Sequence, residues 1–412
     1  MSSSELSLYS EDLESTESAF NIDLEGDIIN NYNVIIELGH GSYSRVWLVY
    51  CINDSKFYAM KVQNPEDYEE GIEEVNILKK IPPDEIYINK LRDSFIETRI
   101  IDMKEMNFMC SVFDLCCGNI DGLARKGKYI NGYPIPIIKI ILKQVCKGLQ
   151  TIHVKLKGFH GDIKPDNILL CGINDRDEEY INAYKKADFN KLYKYAKDEY
   201  MKYNNIKKIP IDNKLKLRKK VHETIINNMK QIDTSPYTFN SKYIENPFIR
   251  ITDFGFYCNM NEKFNESFGT KYYQAPEIIL DGDCNEMVDV WALGCMLYEL
   301  LTGKILFDPE EDENKSINVC HLEMIITLLG DFNKKYISSV KNKSYFDTNC
   351  RLKKMKYPKT ENNSTLDKIN NKLKEHNIND IVLCNLLESM LCLNPAKRIS
   401  IKNILNHEWL LS

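Results

Sequence analysis

No apolar run in the sequence reaches membrane-span length. Even residues 290–301 are interrupted by Glu299, whereas a spanning helix needs ~20 predominantly apolar residues. Positive charge is missing from the first 27 residues, which carry Glu5, Glu11, Asp12, Glu14, Glu17, Asp23, Glu25 and Asp27 but no Lys or Arg. None of the 13 cysteines stands in a C-x-x-C pair, and Cys116 and Cys117 are simply adjacent. Zinc spacing is therefore lacking, and reduced thiols in an intracellular protein are the expectation. No secretory leader or transit peptide is expected either, so the compartment is cytoplasmic, nuclear or both. A net charge of −6 argues against direct nucleic-acid binding.

What the chain has is length and a globular balance. With 412 residues, 43% hydrophobic and 28% charged, it can hold two or three average domains or one long bilobal fold. Residues 1–28 cannot bury enough apolar surface to order themselves and read as an acidic, disordered tail. A monomer is expected.

The densest chemistry lies in His160-Gly-Asp-Ile-Lys-Pro-Asp-Asn-Ile-Leu-Leu170. Asp162, Lys164 and Asn167 alternate there with apolar residues. A carboxylate that can accept a hydroxyl proton, an ammonium for a phosphoryl oxygen and an amide for a divalent metal make a phosphoryl-transfer set. A polar surface loop can match this pattern by chance, so its partners elsewhere decide.

Upstream, Tyr32-Asn-Val-Ile-Ile-Glu-Leu-Gly39 alternates as a strand does. It runs into Leu38, Gly39, His40, Gly41, Ser42, Tyr43, Ser44, Arg45 and Val46. Glycines there let backbone N–H groups close over phosphates. Ser44 stands where a third glycine would, and such a loop alone is often only a hairpin turn. Phe57-Tyr-Ala59-Met-Lys61 reads as a strand ending in a lysine suited to phosphate oxygens, and that lysine needs a counter-carboxylate. Residues 68–80 read as a helix with Ile72, Val75 and Leu78 toward the core. Of Glu73 and Glu74, the second shares the inward side with Leu78 one turn later. Asp253 follows the short strand Ile249-Arg-Ile251 and suits Mg²⁺, which takes carboxylate oxygens together with substrate phosphates.

In this order, Lys61, Glu74, Asp162, Asn167 and Asp253 resemble the eukaryotic protein kinases, over about residues 31–410. The segment Gly269-Thr-Lys-Tyr-Tyr-Gln-Ala-Pro-Glu277 resembles the one that receives a peptide substrate. The resemblance implies an α+β bilobal fold. A small antiparallel-sheet N-lobe with one key helix would span residues 29–114, and a larger, mostly helical C-lobe residues 115–410. ATP and Mg²⁺ are the implied cofactors, and Ser/Thr hydroxyls of a protein substrate the acceptors. Val46 and Ala59 would cover adenine and Phe113 would close the back of its pocket. The backbone of Asp114 and Cys116 would meet its edge, and Leu169 would lie beneath. Lys61, held by Glu74, would position the phosphates; Asn167 and Asp253 would hold the metal; Asp162 and Lys164 would act on the transferring group. Glu277 and Arg398 would form a buried ion pair. Lys164 favours Ser/Thr over tyrosine acceptors. The contrasting class is a pseudokinase scaffold, whose usual mark is the loss of one of these residues; Ser44 and Gly161 are the only soft points.

Within that family the chain most resembles the SR-protein kinases of the CMGC group, through Gly39-His-Gly-Ser-Tyr-Ser-Arg-Val-Trp47, Gly132-Tyr-Pro-Ile-Pro136, Thr302-Gly-Lys-Ile-Leu-Phe307 and Gly330. It shares with them a long insertion in the C-lobe, here about residues 171–247. Helical spacing appears at residues 179–201 and 214–232, the second basic through Lys214, Lys216, Arg218, Lys219 and Lys220. This cluster reads as a localisation or regulatory-partner signal, or as a solvated helix face; the insertion is expected to govern location and partners rather than chemistry. Gly161 replaces the arginine that many kinases use to bind an activation-loop phosphate, and Ser267 is the only Ser or Thr in residues 257–268. Activity without loop phosphorylation is the expectation. Arg/Ser-rich substrates are suggested by the branch. Yet Cys320 and Thr327 stand where docking acids are expected, leaving Glu323 and Glu310-Glu-Asp-Glu313 as substitutes. Gln274 replaces a basic residue of many relatives.

Overall fold

The computed structural model describes residues 23–41, 43–125, 129–232, 242–260, 267–357 and 364–412. Ser42, residues 1–22 of the acidic tail and residues 233–241 of the insertion therefore lie outside the described residues. The chain divides into two compact units. The first takes in Met1–Asn76, Lys90–Leu115 and Arg176–Pro236; the second takes in Ile77–Asn89, Cys116–Asp175 and Tyr237–Ser412.

The first unit opens with strands β1 (Ile28–Ile29), β2 (Tyr32–His40), β3 (Ser44–Cys51) and β4 (Lys56–Gln63), then helix α1 (Tyr68–Leu78), then β5 (Leu91–Ile101) and β6 (Lys104–Phe113). These strands form one antiparallel sheet in the order β1-β2-β3-β4-β6-β5. Period-two alternation gives the sheet two different faces. Trp47, Met60 and Val112 join Tyr32, Val34 and Phe108 in the apolar core of one face. Register puts Val46 opposite Lys61 and Lys61 opposite Ser111, with Leu48, Ala59 and Phe113 in the next row. These residues share the other face, so the sheet itself sets Val46, Ala59, Lys61 and Phe113 side by side.

The chain continues into the second unit with β7 (Cys116–Asn119), α2 (Ile120–Arg125), α3 (Ile135–Gln150), β8 (Gly158–Phe159) and β9 (Ile168–Cys171). Helix α3 buries Ile138, Ile141, Leu142, Val145 and Leu149 on one stripe, the spacing of a core-facing helix.

The insertion then supplies α4 (Asp175–Ala187), α5 (Phe189–Tyr203) and α6 (Ile211–Met229). The single helix expected over residues 179–201 is two. Asp188 adopts φ 52° and its carboxylate accepts from the Lys191 N–H, ending α4 and capping α5. From Arg176 onward these helices belong to the first unit, where Tyr184 packs against Tyr50 at 5.1 Å and Phe57 at 5.9 Å between ring centroids. Lys214, Lys216, Lys219 and Lys220 are exposed. Arg218, grouped with them from sequence, is buried instead.

The rest of the second unit comprises α7 (Lys242–Glu245), β10 (Ile249–Ile251), β11 (Cys258–Asn259), α8 (Pro276–Ile279), α9 (Met287–Thr302), α10 (Ile317–Leu329), α11 (Lys334–Ser339), α12 (Thr365–Lys374), α13 (Ile381–Met390), α14 (Ile401–Leu405) and α15 (Glu408–Leu411). Its strands pair as β10-β9-β7 and β11-β8. Helix α9 is buried all round. Glu277 and Arg398 meet in this unit, Nη1 to Oε1 at 2.6 Å and Nη2 to Oε2 at 3.1 Å, both side chains almost wholly buried. All 13 cysteines are free thiols. No helix among the described residues is long and apolar enough to cross a membrane.

Candidate active site

In the first unit, Lys61 Nζ lies 2.7 Å from Glu74 Oε2. Glu74 is 4% exposed, whereas Glu73 faces solvent, so the helical phase selects the partner. The loop entered from β2 closes through the Gly41 N–H to the Ser44 carbonyl at 2.9 Å. At its base Glu37 accepts from Arg45 at 2.8 Å and meets His40 Nδ1 at 2.9 Å. A Cβ built on Gly39 or Gly41 would meet nothing within 4 Å, and neither glycine has positive φ. No neighbour among the described residues demands glycine there; the room left beside the backbone suits close approach of a phosphate. Leu38 is half-buried at the loop's edge and Tyr43 is exposed on it. Ser42 lies outside the described residues. Asp114, after β6, is held by Arg92 through two bonds of 2.8 and 2.6 Å.

In the second unit, the segment Gly161–Asn167 is pinned from both sides. Asp289, near the start of α9, accepts from the backbone N–H of His160 at 2.8 Å and of Gly161 at 2.9 Å, and lies 2.8 Å from His153 Nε2. Burial alone would push the Asp289 carboxyl up; the His153 hydrogen bond, the nearby imidazoles and the His160 N–H outweigh it and hold it below the ordinary aspartate range. Asp162 is 3% exposed. Its Oδ1 accepts from the Thr270 N–H at 2.7 Å, and its Oδ2 lies 3.0 Å from Lys164 Nζ. Lys164 also donates to the Thr270 hydroxyl at 2.6 Å. The Asn167 amide nitrogen donates to the Asp162 carbonyl at 2.8 Å and to Oδ2 at 3.1 Å, which keeps the amide oxygen for another partner. Asn167 is tied to the strand before Asp253 by the Thr252 N–H to the Asn167 carbonyl at 3.0 Å. Asp253 itself takes φ 66°, a strained conformation for a non-glycine residue. Leu169 sits half-buried in β9, and Cys116 opens β7 opposite Cys171.

The donor set bears on metal binding. Asn167 and Asp253 offer hard oxygens, which suit a hard divalent cation. Among the described residues no group of three or more His, Cys, Asp or Glu is placed to hold a metal.

Sequence reasoning missed Thr270 and Asp289 as organisers of the loop. Thr270 stood inside the quoted Gly269–Glu277 segment without a role, and its backbone N–H has no residue-type signature. Gln274, noted only as a departure, is buried and donates to Ser267 Oγ at 3.1 Å, the Phe268 carbonyl at 2.9 Å and the Gly269 carbonyl at 3.2 Å. Gly161 takes φ 81°, and a Cβ there would lie 2.5 Å from the Phe256 carbonyl oxygen.

A model of the protein kinase domain matches residues 32–231 and 240–410. The serine/threonine-protein kinase SRPK of Physarum polycephalum is 27% identical, over 79% of this chain and 73% of its own length. The protein kinase dsk1 of Schizosaccharomyces pombe is 25% identical, over 92% of this chain and 80% of its own. A crystallised kinase domain aligns over 95% of this chain and 98% of its own with a TM-score of 0.64 and 24% identity, a likeness of fold. Because the domain model takes in the glycine loop, Lys61, Asp162 and Asp253 alike, the chain belongs to the protein kinase family, as a serine/threonine protein kinase with SR-protein kinases among its relatives.

Proposed function

We propose that the chain transfers the γ-phosphoryl group of Mg-ATP to Ser or Thr hydroxyls of protein substrates, and does so without phosphorylation of its own loop. The observation that carries this is the fixed Asp162 carboxylate, oriented by the Thr270 N–H and Asn167 with Lys164 alongside. Asp162 orients the acceptor hydroxyl and takes its proton as the oxygen–phosphorus bond forms and the bond to the leaving ADP oxygen breaks. Lys164 lies against the charge on the transferring group. Lys61, held by Glu74, positions the α- and β-phosphates, and the backbone of residues 38–46 closes over them. Val46, Ala59, Phe113 and Leu169 contact adenine, with the backbone of Asp114 and Cys116 at its edge. Asn167 and Asp253 would hold Mg²⁺, which supplies positive charge to the phosphate oxygens.

Independence from loop phosphorylation draws support from two neutral residues. Gly161 offers no cation for a phosphate, and Gln274 already ties down the carbonyls of Phe268 and Gly269. Arg/Ser-rich substrates draw support from the exposed acids Glu310-Glu-Asp-Glu313. Glu323 supports this less, because Lys315 engages it. One assay tests all three parts. Arrayed Arg/Ser-repeat, acidic and Pro-directed Ser peptides are incubated with Mg-ATP before and after phosphatase treatment of the kinase. Preference for the Arg/Ser arrays, unchanged by phosphatase, is expected. Loss of activity on phosphatase treatment refutes loop independence, and absence of transfer to every array refutes the reaction.

A further inference from the structure

Four polar side chains buried deep in the first unit have no part in that chemistry. Asn33 and His222 are 0% exposed and Arg218 is 6% exposed, and Tyr184 lies buried among them. They form one continuous run of donors and acceptors. Arg218 Nε donates to Asn33 Oδ1 at 2.9 Å. Asn33 Nδ2 donates to the Tyr184 oxygen at 2.9 Å. The Tyr184 hydroxyl then donates to His222 Nδ1 at 3.1 Å, and His222 Nε2 to the Val34 carbonyl at 2.8 Å. This order requires a neutral imidazole protonated on Nε2. Burial favours the neutral ring, pushing His222 down to about 4, and the Val34 carbonyl, which can only accept, places the proton on Nε2. Arg218 Nη1 also donates to the Asn30 carbonyl at 2.8 Å.

The bonds fall where β2 loses its neighbouring strand. Strand β1 pairs with β2 only at Tyr32 and Asn33. Val34 keeps two backbone bonds to the chain before β1, its carbonyl accepting from the Gly26 N–H at 3.1 Å and its N–H donating to the Asp27 carbonyl at 2.9 Å; past Val34 no strand among the described residues pairs with the outer edge of β2. His222 is thus a second donor to the Val34 carbonyl, beside the Gly26 N–H, at the point where strand pairing ends. The β2–β3 ladder is also irregular at two places, between Val34 and Ile36 and between Glu37 and Gly39. A bulge bends a strand and loosens its pairing. Insertion side chains reach a carbonyl at each: His222 that of Val34, and Arg176 that of Glu37 at 3.4 Å. Immediately beyond lies the Leu38–Val46 loop.

We propose that the insertion moors strand β2, with Arg218, His222 and Tyr184 as positioning residues that hold the glycine loop ready for nucleotide. This rests on the nucleotide-loop reading above. It gives the insertion a part in chemistry that its basic composition does not suggest.

Arg218→Met removes the guanidinium at similar length, Arg218→Lys keeps the cation without the fork, and Tyr184→Phe removes one hydroxyl while keeping the ring. Each net hydrogen bond is worth enough to change an equilibrium several-fold, so Arg218→Met should raise KM for ATP and the Kd of a non-hydrolysable ATP analogue about five- to tenfold, and Tyr184→Phe about threefold. At saturating ATP, kcat should stay within about twofold and peptide KM should not move, the pattern of an interaction made before the chemical step. Hydrogen exchange at the amides of residues 34–41 should speed up, and Arg218→Lys should lie between wild type and Arg218→Met. A merely structural role would lower kcat through an inactive fraction at constant KM for ATP, and that result overturns the proposal. So do folded variants that bind nucleotide as wild type does. Where Arg218→Met does not fold, Tyr184→Phe decides. Lys61→Met separates the two levels. Nucleotide binding that Lys61→Met weakens but these variants do not defeats the mooring alone; wild-type chain that binds no nucleotide defeats the reading beneath it.

Discussion

Asp289 and Gly161, 128 positions apart, meet through a 2.9 Å bond from the Gly161 N–H to Asp289 Oδ1. The other carboxylate oxygen takes the His160 N–H and faces His153. One buried carboxylate thus fixes the backbone two residues before Asp162. Its pKa is held below the ordinary value, so its stabilisation is complete above the unfolded aspartate pKa of ~3.9 and is lost as pH falls through the folded value. Asp289→Asn leaves one backbone N–H facing an amide donor and should cost about 2 kcal/mol near neutral pH. Urea unfolding from pH 3 to 7 checks this: the gap between wild type and variant should be full at pH 6 and shrink at the acid end. A gap independent of pH contradicts the assignment.

How much of this could be read beforehand depends on the range of each contact. Lys61 and Glu74 are 13 residues apart on a strand and the next helix, and helical phase alone separates Glu74 from Glu73. Asp162, Lys164 and Asn167 lie within one loop, so residue type and spacing expose them together. Asp289 and Thr270 act through contacts with backbone or from over 100 residues away, and local pattern carries no trace of that. Arg218 is the clearest failure. It sits in a run of lysines, and only its tertiary partner Asn33, 185 positions earlier, distinguishes it from a solvated charge. Asp188 broke a helix that apolar spacing drew as continuous, because a left-handed residue leaves that spacing intact.

Glu277 and Arg398 are predicted to matter for stability more than for rate. Arg398 donates to both Glu277 oxygens, to the Met287 carbonyl at 2.6 Å and to the Cys392 carbonyl at 3.1 Å. Removing one partner strands the other charge in the interior, which typically costs ~3–5 kcal/mol. Glu277→Ala and Arg398→Ala should both lower the unfolding midpoint by similar amounts. The double variant should cost clearly less than their sum. Additive losses in thermal or urea unfolding would show that the pair is not coupled.

Gly161 is predicted to resist replacement by the arginine that many kinases carry at this place. At φ 81° with the Phe256 carbonyl 2.5 Å from any Cβ, Gly161→Arg must shift the backbone on one side or the other. Left-handed strain alone costs ~1–2 kcal/mol for a non-glycine residue. Gly161→Arg should therefore melt at lower temperature and gain no dependence on loop phosphorylation. Gly161→Ala should show a similar loss of stability, since the clash begins at Cβ. An arginine variant of wild-type stability whose activity rises on phosphorylation would show that the segment adapts where the geometry says it cannot.

Asp162→Ala is predicted to separate binding from chemistry. The carboxylate contacts Thr270, Lys164 and Asn167, none of them part of the Lys61–Glu74 pair. Truncation should leave the Kd for an ATP analogue within about twofold of wild type, because the lost group serves the acceptor hydroxyl and not the nucleotide. Loss of a positioned general base typically lowers kcat by 10²–10⁴-fold, so a drop of about that size is expected at saturating substrates. Asn167 keeps its bond to the Asp162 backbone carbonyl, so the loop should retain its shape, with a modest drop in melting temperature because the Thr270 N–H loses its acceptor. Single-turnover assays with calorimetric nucleotide titration measure both quantities on one preparation. A variant that loses nucleotide affinity and rate in equal measure would mean that Asp162 holds the loop together rather than taking the proton.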